Sequence, residues 1–165
     1  MPRTSKLRLL ALLLVGVLFC LCACGGGEAE SAFSVESASC APGEEVTVRV
    51  TVQNNPGLTG IKLRLSYGDA QSLVPHSFSA WQVGGMAVSN VTDPAFSPNP
   101  ADPYVTLVWA GTAAVSENGT VFSLTFRVAE DAPPKDYPLT LTVTECQKDG
   151  GRVEMQATSG TLTVR

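Results

Sequence analysis

The feature that most constrains this chain is a strict two-residue alternation in the segment GLTGIKLRLSYGD, residues 57–69. Ile61, Leu63 and Leu65 alternate there with Lys62, Arg64 and Ser66. Successive side chains of an extended chain point to opposite sides, so a period of two over so short a run predicts a strand with one buried face. One face goes inward; the other is basic and faces out. A run of the same kind, Val46-Thr47-Val48-Arg49-Val50-Thr51-Val52, precedes it and ends in the turn signal Asn54-Asn55-Pro56-Gly57. The two runs are therefore expected to be neighbours in one sheet, the start of a β-sandwich.

The rest of the chain from Ala32 onward is a series of short β-type runs separated by Gly, Pro, Asn and Asp clusters, with no long stretch of helical periodicity. That pattern predicts an all-β sandwich. Phe33, Val35 and Ala38 mark a first strand, ended by Ala41-Pro42-Gly43-Glu44. Leu73 and Val74 form a short strand before Pro75, which lacks an N–H and so belongs at an edge or an end. Residues 86–91 predict a further strand, and 92–103 a long loop. Residues 104–110 are almost free of charge, which suggests a central strand with both faces at least partly covered, and Trp109 falls in phase with Val105 and Leu107 as a core residue. After the turn signal Asn118-Gly119, Phe122, Leu124, Phe126 and Val128 share one face. Pro133-Pro134, an alternating run over 139–144, a Gly150-Gly151 turn and a last strand at 162–164 bring the number to about nine.

The 165 residues leave room for one domain once the N-terminus is set aside. Arg3, Lys6 and Arg8 precede an apolar, uncharged run over 9–23, shorter than the roughly 20 residues that a membrane-spanning helix needs. Residues 1–23 are expected to be a signal peptide. Leu21-Cys22-Ala23-Cys24-Gly25 resembles the lipobox of bacterial lipoproteins, which implies a lipid on Cys24 and a protein tethered outside the membrane; an ordinary secreted protein with a cysteine-rich signal is the alternative. Residues 24–31, rich in Gly and short polar side chains, are expected to be a flexible linker, and 32–165 the folded domain. Removing 1–23 takes three of the eleven basic residues and none of the fifteen acidic ones, so the mature net charge is 8 − 15 = −7. An acidic domain argues against nucleic acid as a partner, and against contact with anionic membrane other than through the lipid.

Chemistry-bearing clusters are scarce. Cys40 and Cys146 are the cysteines of the folded part, either a disulfide closing a long loop or two buried free thiols. No CxxC spacing with partner histidines suggests zinc, and the loop carboxylates Asp93 and Asp102 form no recognisable calcium site, so neither a metal nor a cofactor is expected. The single histidine, His76, stands beside Pro75 with no nucleophile motif near it in the sequence and is expected on a surface loop; the chain does not read as an enzyme. Asn90-Val91-Thr92 and Asn118-Gly119-Thr120 match the glycosylation sequon, but behind a bacterial lipobox they are read as turn or strand residues.

The order of the runs is similar to that of the cohesin domain of cellulosome scaffoldins. The resemblance rests on Ala41-Pro42-Gly43-Glu44-Glu45-Val46-Thr47-Val48, on Asn55-Pro56-Gly57 with the alternating strand that ends at Tyr67, and on Asn118-Gly119-Thr120-Val121-Phe122-Ser123-Leu124-Thr125-Phe126. Tyr137 and the closing Ser159-Gly160-Thr161-Leu162-Thr163-Val164 complete it. It implies a nine-stranded sandwich of jelly-roll topology that binds dockerins, the calcium-loaded helical modules carried by enzymes of polysaccharide breakdown. The face it implies comprises Lys62 and Arg64 from one strand with Thr106, Val108 and Ala110 from another. Type I cohesins carry Asn and Asp on the strand matching Gly60 and Lys62, and a Glu matching Gly111, so a different specificity is implied, with Lys62 and Arg64 meeting acidic groups on the partner. Cohesins share their general fold with carbohydrate-binding modules, which keeps direct polysaccharide binding as a second reading, with Trp81 stacking on sugar beside Tyr104 or Phe78. A structural or adhesive surface lipoprotein is a third.

Overall fold

In the computed structural model of the chain, residues 30–80, 91–96 and 101–165 are described, the segment at 91–96 by its backbone alone. The expected signal peptide, Cys24 and the linker up to residue 29 lie outside the described residues, as do Trp81 and Asn90. Among the described residues the elements are twelve strands: β1 (Ala32–Val35), β2 (Ala38–Cys40), β3 (Glu45–Gln53), β4 (Leu58–Tyr67), β5 (Leu73–Ala80), β6 (Val91–Phe96), β7 (Tyr104–Val115), β8 (Gly119–Val128), β9 (Lys135–Lys148), β10 (Gly151–Arg152), β11 (Gln156–Thr158) and β12 (Gly160–Val164). They form two sheets, ordered β11-β1-β3-β8-β5 and β2-β12-β9-β4-β7-β6, with β10 paired to β9. The all-β sandwich is as expected. The three strands beyond nine are short: β2 and β11 arise where the chain changes sheets, and β10 closes a hairpin on β9.

The core lies between the layers. Phe33, Val48, Val50, Val52, Phe122, Leu124 and Phe126 from the first sheet meet Ile61, Leu63, Leu65, Leu107, Trp109, Tyr137 and Leu139 from the second in one cluster, each of them 3% exposed or less. The alternation of β4 is as expected, with Lys62 exposed and Arg64 and Ser66 half-buried between its inward residues. The expected pairing of β3 with β4 is not found: they lie in different sheets, β3 between β1 and β8, and β4 between β9 and β7. The reason is the connection. Asn54 (φ 50°) and Gly57 (φ 93°) adopt left-handed backbone, and the Asn55 N–H and side-chain amide donate to Asn118 Oδ1 and the Glu117 carbonyl at 3.0 and 2.9 Å. The loop is thereby tied to the start of β8 and leads the chain across the core instead of back along the ladder.

At both ends of the domain the chain passes from one sheet to the other. β1 pairs parallel with β11, and β2 with β12, so the two terminal segments cross side by side. The crossing requires a glycine. A Cβ on Gly160 would stand 2.8 Å from the Val35 carbonyl oxygen and 3.1 Å from its Cγ1. Glu30 and Ser31, which composition assigned to the linker, are held here: Ser31 Oγ donates to the Asn54 carbonyl at 2.6 Å, and the Asn54 amide donates to the Glu30 carbonyl at 3.1 Å.

Proline placement follows the edges. β5 is an edge strand as expected, but it continues through Pro75 with a register shift beyond it, so His76 is a strand residue and not a loop residue. The loop expected over 92–103 is interrupted by β6, which pairs with β7; the register shift between Thr92 and Ala95 places Asp93 and Pro94 in an irregularity at the sheet edge, where a missing N–H breaks no inner ladder. β7 is an inner strand, between β4 and the edge strand β6; its inward face is buried at Val105, Leu107 and Trp109, and its outward face is partly covered at Tyr104 and Thr106 while Val108 is 37% exposed. The β9–β10 turn falls one residue earlier than expected, at Asp149 (φ 50°) and Gly150 (φ 78°), since both central residues of such a tight hairpin need positive φ. The buried Tyr137 sends its hydroxyl to the Pro133 carbonyl at 3.0 Å.

Asp69 fastens the loop between β4 and β5. Partial burial raises its pKa, but the Gln71 and Ser72 N–H groups, the Ser72 hydroxyl and the Lys135 ammonium at 3.9 Å outweigh burial and hold it below the ordinary value. Two outcomes follow from these contacts. Gly160→Ala is expected to lower stability by roughly 1–3 kcal/mol, because either the Val35 backbone or the crossing must shift, and urea unfolding checks this. Asp69→Asn keeps shape without charge and should cost about 1 kcal/mol at pH 7. The folded pKa lies below the unfolded one, so this contribution is complete above about pH 5 and is lost as pH falls through the folded value; the unfolding midpoints of variant and parent should converge as the pH is lowered through the acid range.

Candidate functional site

The outer face of the second sheet is built on β4, because β4 is flanked on both sides. Lys62 stands opposite Val108 of β7 and Glu145 of β9; Arg64 stands opposite Thr106 and Thr142; Gly60 stands opposite Ala110 and Gln147. The five residues expected on the face, Lys62, Arg64, Thr106, Val108 and Ala110, are thus brought together in adjacent rows. Gly60 has no side chain to fill the sheet surface there. A shallow depression of about 140 Å³ results, lined by Gly60, Lys62, Val108, Ala110, Glu145 and Gln147.

The two basic residues differ in their surroundings. Arg64 donates to Asp102 Oδ2 at 2.6 Å, and its guanidinium lies 3.9 Å from the centroid of the Tyr104 ring. A planar guanidinium can pair with a carboxylate along its edge while stacking on a ring with its face, which a lysine ammonium cannot do. Lys62 makes no ion pair among the described residues. Its cross-strand neighbour Glu145 instead accepts a hydrogen bond from Gln147 Nε2 at 2.6 Å.

Gly60 lies on the strand expected to carry the face; Asp102, Glu145 and Gln147 complete it and were not predicted as part of it. A signal for Glu145 was present. Strict alternation from Leu139, Leu141 and Val143 would carry residue 145 into the core, yet Cys146 is the next buried residue, which requires one extra residue in the strand. The register shift between Lys62 and Leu63 supplies it: Leu63 pairs with Val143 and Lys62 with Glu145, leaving Thr144 as the bulge. No comparable signal links Arg64 to Asp102, 38 residues away.

The residues considered for sugar stacking are not brought together. Tyr104 is half-buried on the second sheet with one ring face covered by Arg64, while Phe78 is on β5 of the first sheet, packed against the core. Trp81 lies outside the described residues. Trp109 is in the core, as expected, and its ring explains the absence of a side chain at 111: a Cβ there would stand 2.5 Å from Trp109 Cζ2.

Cys40 and Cys146 are free thiols, so the disulfide alternative is not realised. Strand register gives the reason. Cys40 aligns with Val164, and Val164 with Lys135, whereas Cys146 lies 146 − 135 = 11 residues further along β9, a separation of about 35 Å in an extended chain. Burial, with the nearby Glu145 and Glu154 carboxylates adding to it, pushes the Cys146 thiol up to about 12, and burial also raises Cys40. Neither is a poised nucleophile. Among the described residues no group of three His, Cys, Asp or Glu side chains is placed to hold a metal ion. His76 sits on the opposite sheet, 3.5 Å from Glu45, which also binds Arg127 at 2.9 Å.

Comparison with known proteins places these features in a family. The model of the cohesin domain matches residues 31–164. A search of curated proteins gave no match. Among solved structures, the chain is similar to the cohesin of a type I cohesin–dockerin complex of Clostridium thermocellum, Coh-OlpA, with a TM-score of 0.72 at 14% identity over 83% of this chain and 100% of that one. It is also similar to the seventh type I cohesin of ScaB from Pseudobacteroides cellulosolvens (TM-score 0.69, 20% identity, 82% and 92% of the two chains). A third similar structure is a non-cellulosomal cohesin from the archaeon Archaeoglobus fulgidus (TM-score 0.65, 22% identity, 83% and 92%).

Proposed function

The chain belongs to the cohesin family, and from that premise we propose that it is a lipid-anchored binding module that docks dockerin-bearing proteins at the outer face of β4, β7 and β9. The observation that carries the reading is Val108. It is 37% exposed on an inner strand of the sheet, directly across from Lys62 and beside a depression floored by Gly60. An apolar patch inside a polar rim is the usual anatomy of a protein-docking surface. A helix can lie on such a face, with one apolar side chain covering Val108 and another group entering the depression. Solved relatives of this fold include cohesins bound to dockerins, in complexes from Clostridium thermocellum and Acetivibrio cellulolyticus. The partner in this reading is a calcium-loaded dockerin on an enzyme of polysaccharide degradation.

Cell-surface attachment is part of the same proposal. Lipid on Cys24 would hold the domain outside the membrane on the short linker that follows, leaving the docking face free for a secreted partner. Direct polysaccharide binding gains no observation of its own, since Tyr104 is covered on one face by Arg64.

Calorimetric titration of the full chain with calcium-loaded dockerin modules from the secreted enzymes of the same organism is expected to give one-to-one binding that disappears with chelator. Val108→Asp, which puts a charge where an apolar contact forms, should weaken binding at least tenfold without changing the unfolding midpoint by more than a few degrees. Binding indifferent to Val108→Asp would move docking off this face. Retention on insoluble polysaccharide, with no dockerin bound, would instead favour the sugar reading. In cells, Cys24→Ala is expected to transfer the protein from the membrane fraction to the medium; an unchanged distribution would dismiss the lipid anchor.

A further inference from the structure

We propose that Lys62 alone selects the partner, by receiving a carboxylate from the docked dockerin, and that Arg64 is held back from that role by its own intramolecular contacts. The inference rests on the dockerin reading above and names the chemistry that the partner must present. Three features of the face carry it.

First, the two cations are unequal. Arg64 is already paired with Asp102 at 2.6 Å and stacked on the Tyr104 ring at 3.9 Å, so its charge is partly compensated and its orientation fixed before any partner arrives. Lys62 has no ion pair to displace among the described residues; Glu145, the carboxylate opposite it, accepts a hydrogen bond from Gln147 at 2.6 Å instead. Second, Lys62 is the charged residue directly across the strand from the exposed Val108, and both line the depression. A partner that covers Val108 removes water from around Lys62. An ammonium desolvated without a counter-charge is penalised, and one given a carboxylate makes a strong charge-assisted hydrogen bond, so the same position rewards an acidic contact and rejects a basic one. Third, long-range attraction does not favour an acidic partner: the sequence carries fifteen acidic residues against eleven basic ones. The selection therefore has to be local, acting on the docked complex and not on the approach.

The experiment compares two versions of one calcium-loaded dockerin module that binds this protein, differing only in carrying Glu or Lys at the exposed positions of the docking helix. Each is titrated against the full chain, the Lys62→Glu and Lys62→Met variants, and Arg49→Met, which lies on the opposite sheet and is paired with Glu36. The parent and Arg49→Met are expected to prefer the Glu version at least tenfold, Lys62→Met to lose most of the preference, and Lys62→Glu to reverse it. Equal affinities of the two versions for the parent, or a preference that survives Lys62→Glu, would overturn the inference while leaving docking at Val108 intact. Failure of every unaltered calcium-loaded dockerin module to bind the parent would overturn the inference and the dockerin reading together.

Discussion

The burial of Ile61, Leu63 and Leu65 on the inner face of β4 fixes nearly everything on its outer face. Each of these side chains is 3% exposed or less, and β4 is paired along its length with both β7 and β9. A slip of one residue would turn the three into solvent and drive Lys62 and Arg64 into the core. Burying an aliphatic side chain of this size is worth roughly 1.5–3 kcal/mol, so the slip would forfeit on the order of 5 kcal/mol before any cost of burying charge. That is comparable to the whole stability of a small domain, commonly about 5–15 kcal/mol. The rows that bring Lys62 beside Val108 and Arg64 beside Thr106 are therefore enforced from beneath, by residues of the inner face.

What the sequence made legible follows from the same physics. Alternation is local, so the inner faces of β3, β4, β8 and β9 could be read from runs such as Val48-Val50-Val52 and Leu139-Leu141. Turn residues are also local, but they specify only that the chain reverses. Asn54 to Gly57 gave no sign that the reversal leads to the other sheet, because the groups that decide it, Glu117 and Asn118, lie more than sixty residues away. The two sheet changes were hidden for a similar reason: Gly160 looks like any turn glycine until its neighbour is known to be the Val35 carbonyl. β6 was hidden behind Pro94, whose composition says loop and whose position at a sheet edge permits a strand. On the candidate site, the five anticipated face residues came from resemblance and alternation together, whereas Asp102 and the engagement of Arg64 required tertiary proximity.

The two outer faces of the sandwich treat their polar groups differently. On the first sheet they satisfy one another across strands: Thr47 and Thr125 hydroxyls at 2.8 Å, Ser34 and Thr51 at 2.9 Å, Arg49 with Glu36 at 3.3 Å, and Glu45 with Arg127 at 2.9 Å. Such a surface offers a partner little that water does not already supply, and exposed ion pairs of this kind add little stability. On the second sheet Lys62 makes no ion pair among the described residues and stands beside an exposed valine and a depression. The first sheet also exposes a valine, Val74 at 47% on its edge strand β5; what distinguishes the second is a valine set directly across from a lysine with no ion pair among the described residues, both lining one depression.

The face also separates positions that are free to change from those that are not. Residues 62 and 108 point outward from a register held by the core, so their exchange alters charge and apolar contact while leaving the fold's inner faces alone. Position 111 is different. The Trp109 ring occupies the space that any Cβ there would need, at 2.5 Å, and Trp109 is itself buried in the core. Any side chain at 111 would require the core tryptophan to move. Specificity in this chain has to be written at the positions that packing leaves open, and Lys62 is the charged one among them that lies against Val108.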